Sequence, residues 1–322
     1  MRTNLSDMQR VPIVDLAPLH DGTQAGIVTV AREIGLAARD IGFFAVTNHG
    51  VPQRLIDELF VVAQTFFALP AAVKAQTPIE QSPQYLGYAR MSLEKLDPNR
   101  PGDAKESFNM GRERAPGDPD LRAGTPFVGV NQWPRLPGFR AALLAYFDEL
   151  AELGVLIHRA IALNLGVDAN YFATSYDRSL SALRILHYPP HPGTFDGTLY
   201  GAGPHTDYGG LTLLAQDDNG GLEVRRRDGT WIAVEPAPGT FVCNIGDAMM
   251  RWTNDIYVSN AHRVVNRSGR ERYSAAFFCE PNPDALIACI PGCAGPERPA
   301  KYPPIAFAEY LRSRLEPTYA GT

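Results

Sequence analysis

Two histidines and an aspartate carry the chemistry this sequence offers most plainly. Pro204-His205-Thr206-Asp207 stands just before a β-type run from Gly210 to Ala215. In extended backbone the side chains at i and i+2 leave on one face, so His205 and Asp207 can converge. A third donor, His262, opens a later β-type run ending at Asn266. Two neutral imidazoles and one carboxylate on a single face of an octahedron leave three positions open, the arrangement that non-haem Fe(II) sites use. Two other readings stand beside it. A His-x-Asp pair also occurs as a hydrogen-bonded surface pair, and Zn(II) accepts the same donors with a bound water as hydrolytic nucleophile.

Arg272-Tyr273-Ser274 begins the run that continues to Phe278. The two-residue rule puts Arg272 and Ser274 on one strand face, where a guanidinium fork and a hydroxyl would point together. A buried arginine is costly without an anion, and its planar donors match a carboxylate. The anion is either a small dicarboxylate ligand or a carboxylate of the protein itself.

These residues need strands to hold them, and the chain changes character to supply them. Gln24 to Arg39, Pro52 to Ala68 and Phe139 to Leu165 show apolar residues at three- and four-residue spacing and predict helices, and Phe43 to Gly50 reads as a short apolar strand ending in a turn. From Ala182 the period shortens to two. Runs at 183–188, 210–215, 222–226, 231–234, 240–245, 262–266 and 273–278 alternate with turn signals such as Asp228-Gly229. The expectation is a mainly β fold with flanking helices: a sandwich or barrel core behind a helical N-terminal half. With no repeat and no Ser/Gly-rich linker, one integrated domain over 1–322 is expected. It divides into a mostly helical 1–175, a catalytic core at 176–290 and a C-terminal helix and tail at 291–322. The segment from Asp97 to Arg114, rich in charge, Pro and Gly, reads as a loop, either near a site or merely solvated.

Composition narrows the partners. With a net charge of -5 and 30 Lys and Arg spread along the chain, no basic stripe is available to follow a phosphate backbone. No apolar run reaches the roughly 20 residues of a membrane span, and the start lacks the basic and apolar regions of an export signal. Four cysteines, Cys243, Cys279, Cys289 and Cys293, are too few for a disulfide framework in 322 residues. A cytoplasmic protein without nucleic acid, membrane or obligate protein partner is expected.

With His205-x-Asp207, His262 and Arg272-x-Ser274 in this order, the sequence resembles the isopenicillin N synthase-like family of 2-oxoglutarate- and Fe(II)-dependent oxygenases. Val11-Pro12-Ile13-Val14-Asp15-Leu16, Gly42-Phe43-Phe44, Asn48-His49-Gly50-Val51-Pro52, Gly87-Tyr88 and Lys105-Glu106-Ser107-Phe108-Asn109 extend the likeness over most of the chain. The resemblance implies a double-stranded β-helix, or jelly roll, with Fe(II) on His205, Asp207 and His262. It also implies a clamp of Arg272, Ser274 and Tyr188 on the co-substrate 2-oxoglutarate, with O2 as oxidant. Plant members carry Asn two positions before that tyrosine, where this chain has Leu186.

Among bacterial members such as the ethylene-forming enzyme, the likeness runs through Pro204 to Gly209, Ala215-Gln216-Asp217-Asp218, Gly220-Gly221-Leu222 and Arg184-Ile185-Leu186. It implies Arg184 and Tyr208 near the active centre, with Glu94 aligned to an arginine-binding site. The implied activity is oxidation of a small molecule, by hydroxylation or desaturation, with release of succinate and CO2. Alternatives are ethylene formation, an Fe(II) oxidase that uses no 2-oxoglutarate, and a non-catalytic sensor. Several smaller expectations follow from position. Tyr208 is a wall or packing residue, Arg184 binds an anionic substrate or an acidic neighbour, Phe278 packs in the core or else lines the substrate wall, and the methionines 249 and 250 pack in the core. Asn244 to Asp247 form a structural turn.

Overall fold

Beyond residue 181 apolar side chains fall at every second position, and a strand so patterned seals one face against helices while its other face is free to line a cavity. The computed structural model describes residues 10–96, 101–191, 195 and 197–319, with side chains to 315 in the last helix. The first half comprises β1 (Ile13–Asp15), α1 (Ala17–Asp21), α2 (Gln24–Asp40), β2 (Phe43–Thr47), α3 (Gln53–Phe67), α4 (Ala71–Lys74), β3 (Gly87–Ala89), β4 (Glu106–Gly111), α5 (Pro119–Ala123), α6 (Phe139–Asn164) and α7 (Ala173–Tyr176). Then come β5 (Ala182–Tyr188), β6 (Ala202–His205), β7 (Leu211–Gln216), β8 (Leu222–Arg225), β9 (Trp231–Ala233), β10 (Phe241–Ile245), α8 (Asp247–Trp252), β11 (His262–Val264), β12 (Arg272–Cys279), β13 (Leu286–Ile287), β14 (Ile305–Ala306) and α9 (Phe307–Tyr319).

An eight-stranded sheet in the order β1-β2-β10-β7-β12-β5-β4-β3 and a four-stranded sheet in the order β6-β11-β8-β9 form the expected two-sheet jelly roll. A cavity lies between them, lined from both. On the large sheet Leu183, Ile185, Leu213, Ala275 and Phe277 are sealed into the helix-backed core. Their neighbours Arg184, Leu186, Leu214, Ser274 and Ala276 line the cavity. Helix α6 supplies the backing with buried residues at helical spacing, among them Leu143, Phe147, Leu150 and Ile157. It approaches the sheet closely because Gly154 has no side chain: a Cβ there would stand 2.8 Å from the Cys279 sulfur.

The mostly helical first half holds the expected strand, β2, and adds β1, β3 and β4 to the eight-stranded sheet. Two expectations are corrected. Of the segment 97–114 expected as loop, residues 97–100 lie outside the described residues, and Glu106–Gly111 is a strand between β3 and β5. Its two apolar residues, Phe108 and Met110, face the helix-backed core, while buried polar side chains hide the pattern. Finally, the motif does precede a strand, β7, but His205 also ends strand β6, and Asp207 lies in the turn between the two rather than in extended strand.

Glu106 explains how such a polar strand can be buried. Its carboxylate accepts hydrogen bonds from Lys74 Nζ (2.6 Å), Tyr88 Oη (2.5 Å) and His187 Nδ1 (2.8 Å). Burial alone would raise its pKa, but the bonds from His187, Lys74 and Tyr88 outweigh that and hold it below the ordinary carboxylate value. Because the folded pKa is depressed, this stabilisation is complete above the unfolded value near ~4.5 and is lost as pH falls through the folded one. Glu106→Gln strands the buried Lys74 and is expected to cost about 3–5 kcal/mol in denaturant unfolding at pH 7. The difference from wild type should shrink below pH 4.

Candidate metal centre and cavity

Strand pairing brings the two imidazoles together. His262 on β11 is directly opposite His205 on β6, with ring centroids 4.2 Å apart. Asp207 Oδ1 lies 3.8 Å from His205 Nε2 and 3.6 Å from His262 Nε2, and one donor atom from each of the three fits within 4.8 Å. A metal roughly 2.1 Å from each donor would want neighbouring donors roughly 3 Å apart in a facial arrangement, so each Oδ1 contact would shorten by less than an ångström.

The donors are also oriented for a cation. His205 Nδ1 donates to the Gly203 carbonyl (2.7 Å) and His262 Nδ1 to that of Asn260 (3.3 Å). A carbonyl can only accept, so each Nδ1 carries the proton and each Nε2 presents its lone pair. Asp207 Oδ2 accepts from Thr212 Oγ1 (2.6 Å) and Asn244 Nδ2 (2.7 Å), which turns Oδ1 to the histidines. Burial, and then the neighbouring His262, hold His205 well below the ordinary histidine range, so the imidazole is neutral at pH 7. For Asp207 burial works toward a higher pKa, but His262, His205, Asn244 and Thr212 outweigh it and keep the carboxylate ionised. The turn itself is pinned by backbone N–H groups: Asp247 N donates to the Asp207 carbonyl (2.8 Å) and Ala248 N to that of Gly209 (3.1 Å).

The cavity has a volume of about 250 Å³, of the order of small-molecule sites. At one end of its floor lies Arg272, fully buried. Its Nε donates to the Gly220 carbonyl (2.5 Å), and its terminal nitrogens donate to Ser274 Oγ and Gln216 Oε1, both at 3.2 Å. The guanidinium lies 4.8 Å from the ring centre of Tyr188, its register partner on β5. No carboxylate is among these partners. Three of the five N–H donors are used, which leaves two, the number a bidentate carboxylate takes.

Two family models match the chain: the 2OG-Fe(II) oxygenase superfamily over residues 179–281, and the N-terminal region of the non-haem dioxygenases in morphine synthesis over 11–136. The chain belongs to the 2-oxoglutarate/Fe(II) oxygenase superfamily. A 2-oxoglutarate-Fe(II) type oxidoreductase of Emericella nidulans is 35% identical over 96% of this chain and 90% of its own. A homoarginine-6-hydroxylase of Oryza sativa is 37% identical over 96% and 98% respectively. Among solved structures, a full-length Neurospora crassa protein in complex with alpha-KG and thymine superposes with a TM-score of 0.86 at 34% identity, covering 96% of this chain and 97% of that one. A 2OG-Fe(II) oxygenase family protein from Caulobacter crescentus gives a TM-score of 0.84 at 34% identity, with coverage of 95% and 98%. This oxygenase therefore uses Fe(II) and 2-oxoglutarate, and the zinc hydrolase reading falls away.

The remaining expected site residues distribute unevenly in this oxygenase. Tyr188, Arg184, Tyr208 and Glu94 all line the cavity. Arg184, however, has an acidic neighbour, with its NH1 3.2 Å from Glu94 Oε1. Buried Lys105 continues the chain of charge to Glu94 (3.2 Å) and Asp103 (3.0 Å). Burial works against its charge, but Asp103 and Glu94 more than offset that and hold its pKa above the lysine range. The Arg314 guanidinium lies 5.1 Å from the ring centre of Tyr208, on the cavity wall. Phe278, open between core and wall from the sequence, faces the cavity, because it shares a strand face with Arg272 and Ser274. Asn244, expected in a turn, is a buried residue of β10 that grips Asp207. Thr212 was not singled out by sequence reasoning either. Their signal was a polar residue at a cavity-facing position of an otherwise apolar strand.

If Asn244 and Thr212 turn the carboxylate as described, Asn244→Ala should weaken metal binding about 10–100-fold while leaving all three donors in place. Anaerobic titration with Co(II), followed by its visible absorption, measures this.

Proposed function

We propose that His205, Asp207 and His262 hold Fe(II) by one face, and that Arg272 and Ser274 grip the distal carboxylate of 2-oxoglutarate with Tyr188 packed on the guanidinium. The observation that carries this reading is the fully buried Arg272, facing the same cavity as the three donors, with two N–H groups unclaimed and no protein carboxylate beside it among the described residues. Bound there, iron supplies oxygen activation: one oxygen atom goes to 2-oxoglutarate, giving succinate and CO2, and the other oxidises a substrate C–H bond, by hydroxylation or with water loss in a desaturation.

The protein's share is placement. Arg272 fixes the far end of the co-substrate, so that its keto-acid end reaches toward the donors. Leu186, Ala276 and Leu214 give that path an apolar floor, which excludes competing water. Arg184, Tyr208 and Glu94 form the substrate wall in this reading, with the Glu94 to Arg184 pair presenting a fixed polar edge. The substrate is a small nitrogen-bearing molecule, in keeping with homoarginine in the names of relatives and thymine in a solved complex.

A narrower kinship with the bacterial ethylene-forming enzyme rests on the His205 turn, Leu186 and the cavity position of Glu94. We also take residues 1–322 as one working unit, since strands from both halves join in one sheet. Among the described residues no helix is long and apolar enough to cross a membrane. The four cysteines carry no disulfide, which supports a cytoplasmic location.

Anaerobic addition of Fe(II) and 2-oxoglutarate is expected to develop the weak visible charge-transfer band of the chelate. Its absence would sink the reading. Arg272→Gln should raise the 2-oxoglutarate concentration for half-saturation of that band by about 10–100-fold, the loss of one charge-assisted bidentate contact. Succinate formed in step with substrate consumed distinguishes an oxygenase from an oxidase that spares 2-oxoglutarate, and headspace ethylene tests the narrower kinship.

A further inference from the structure

Glu280 is the next cavity-facing step after Phe278, just past the end of β12. It is 9% exposed, and among the described residues neither carboxylate oxygen has a hydrogen bond or ion pair; Oε2 is fully buried. The side chain lies flat against the turn that carries Asp207. A Cβ on Gly209 would fall 2.4 Å from Oε2, so only glycine there lets the carboxylate in. Of the three carboxylates that line the cavity among the described residues, Glu94 is matched by Lys105 and Arg184, and Asp207 belongs to the metal centre. Of these three, Glu280 is the one without a described counter-ion. A buried carboxylate without partners is expensive, and a ligand that brings a positive N–H group removes that cost.

We propose that Glu280 is a specificity residue that receives a cationic nitrogen of the substrate, an ammonium or guanidinium group, beside the metal centre. The inference rests on the oxygenase reading above and adds the chemical class of substrate to it. A nitrogen seated on Glu280 sets the carbons next to it against the turn of Asp207, close to where the oxidant forms. Burial, together with the nearby Asp207, pushes the Glu280 pKa up to about 8, so the empty cavity disfavours the charge that a cation would restore.

The test compares agmatine with N-carbamoylputrescine, which replaces the guanidinium by a neutral ureido group of nearly the same shape. L-arginine and L-citrulline form a second pair. Binding to the anaerobic Fe(II) and 2-oxoglutarate complex is read by calorimetry, in wild type and in Glu280→Gln. Wild type should bind at least one cation about 10–100-fold more tightly than its neutral partner, and Glu280→Gln should remove that preference. The variant should keep the chelate band and melt no earlier than wild type, because among the described residues the Glu280 carboxyl group has no hydrogen bond or ion pair to lose. Three results would each overturn the proposal: neutral analogues binding as well as cations, a preference that survives Glu280→Gln, or no cation binding at millimolar concentration while the band is normal. Absence of the band in wild type would instead count against the oxygenase reading itself.

Discussion

Every second residue of β12, from Arg272 through Ser274 and Ala276 to Phe278, faces the cavity, and the residues between them are sealed toward α6 and α3. A slip of one residue in its pairing with β5 or β7 would bury Phe277 in the cavity and turn Arg272 into an apolar core. The apolar face therefore enforces the register of the polar one. Because Tyr188 and Leu186 are the direct partners of Arg272 and Ser274, the same register assembles the guanidinium, the hydroxyl and the stacked ring without any loop having to find its place.

The candidate metal donors are held by a different device. Only His205 and His262 are placed by strand pairing, while Asp207 stands in a turn fixed by the N–H groups of Asp247 and Ala248. The turn is deeply crowded: a Cβ on Gly246 would lie 2.3 Å from the Gly209 carbonyl oxygen. Asn244 and Thr212 reach it from the rigid floor of the large sheet, so the carboxylate is oriented by the floor and the imidazoles by the opposing strands. The centre thus joins the two sheets.

Along one wall of the cavity charge is organised by pairing rather than by solvent. Asp103, Lys105, Glu94 and Arg184 alternate in sign along one wall, each satisfying the next. Glu106, with Lys74, Tyr88 and His187, secures the far side of β5 in the same way. Such networks hold geometry because removing one member leaves another buried and unpaired.

Much of this was legible in the order of residues. Period-two alternation beyond Ala182 and helical spacing in α2, α3 and α6 are local signals, since side-chain direction in a strand or helix follows from the backbone alone. His205, Asp207, His262, Arg272 and Ser274 could be picked out because their types are expensive to bury and their spacing repeats that alternation. The strand β4 was hidden by its buried polar side chains, and the partners of its one charge, Glu106, lie far along the chain. Arg184 and Glu94 were readable as cavity residues, but that they face each other was not, as 90 residues separate them. The sequence by itself determined which side chains a strand sends to the same face. Only the tertiary structure decided which faces meet, because the partners of a buried charge are set by packing across the two sheets and not by distance along the chain.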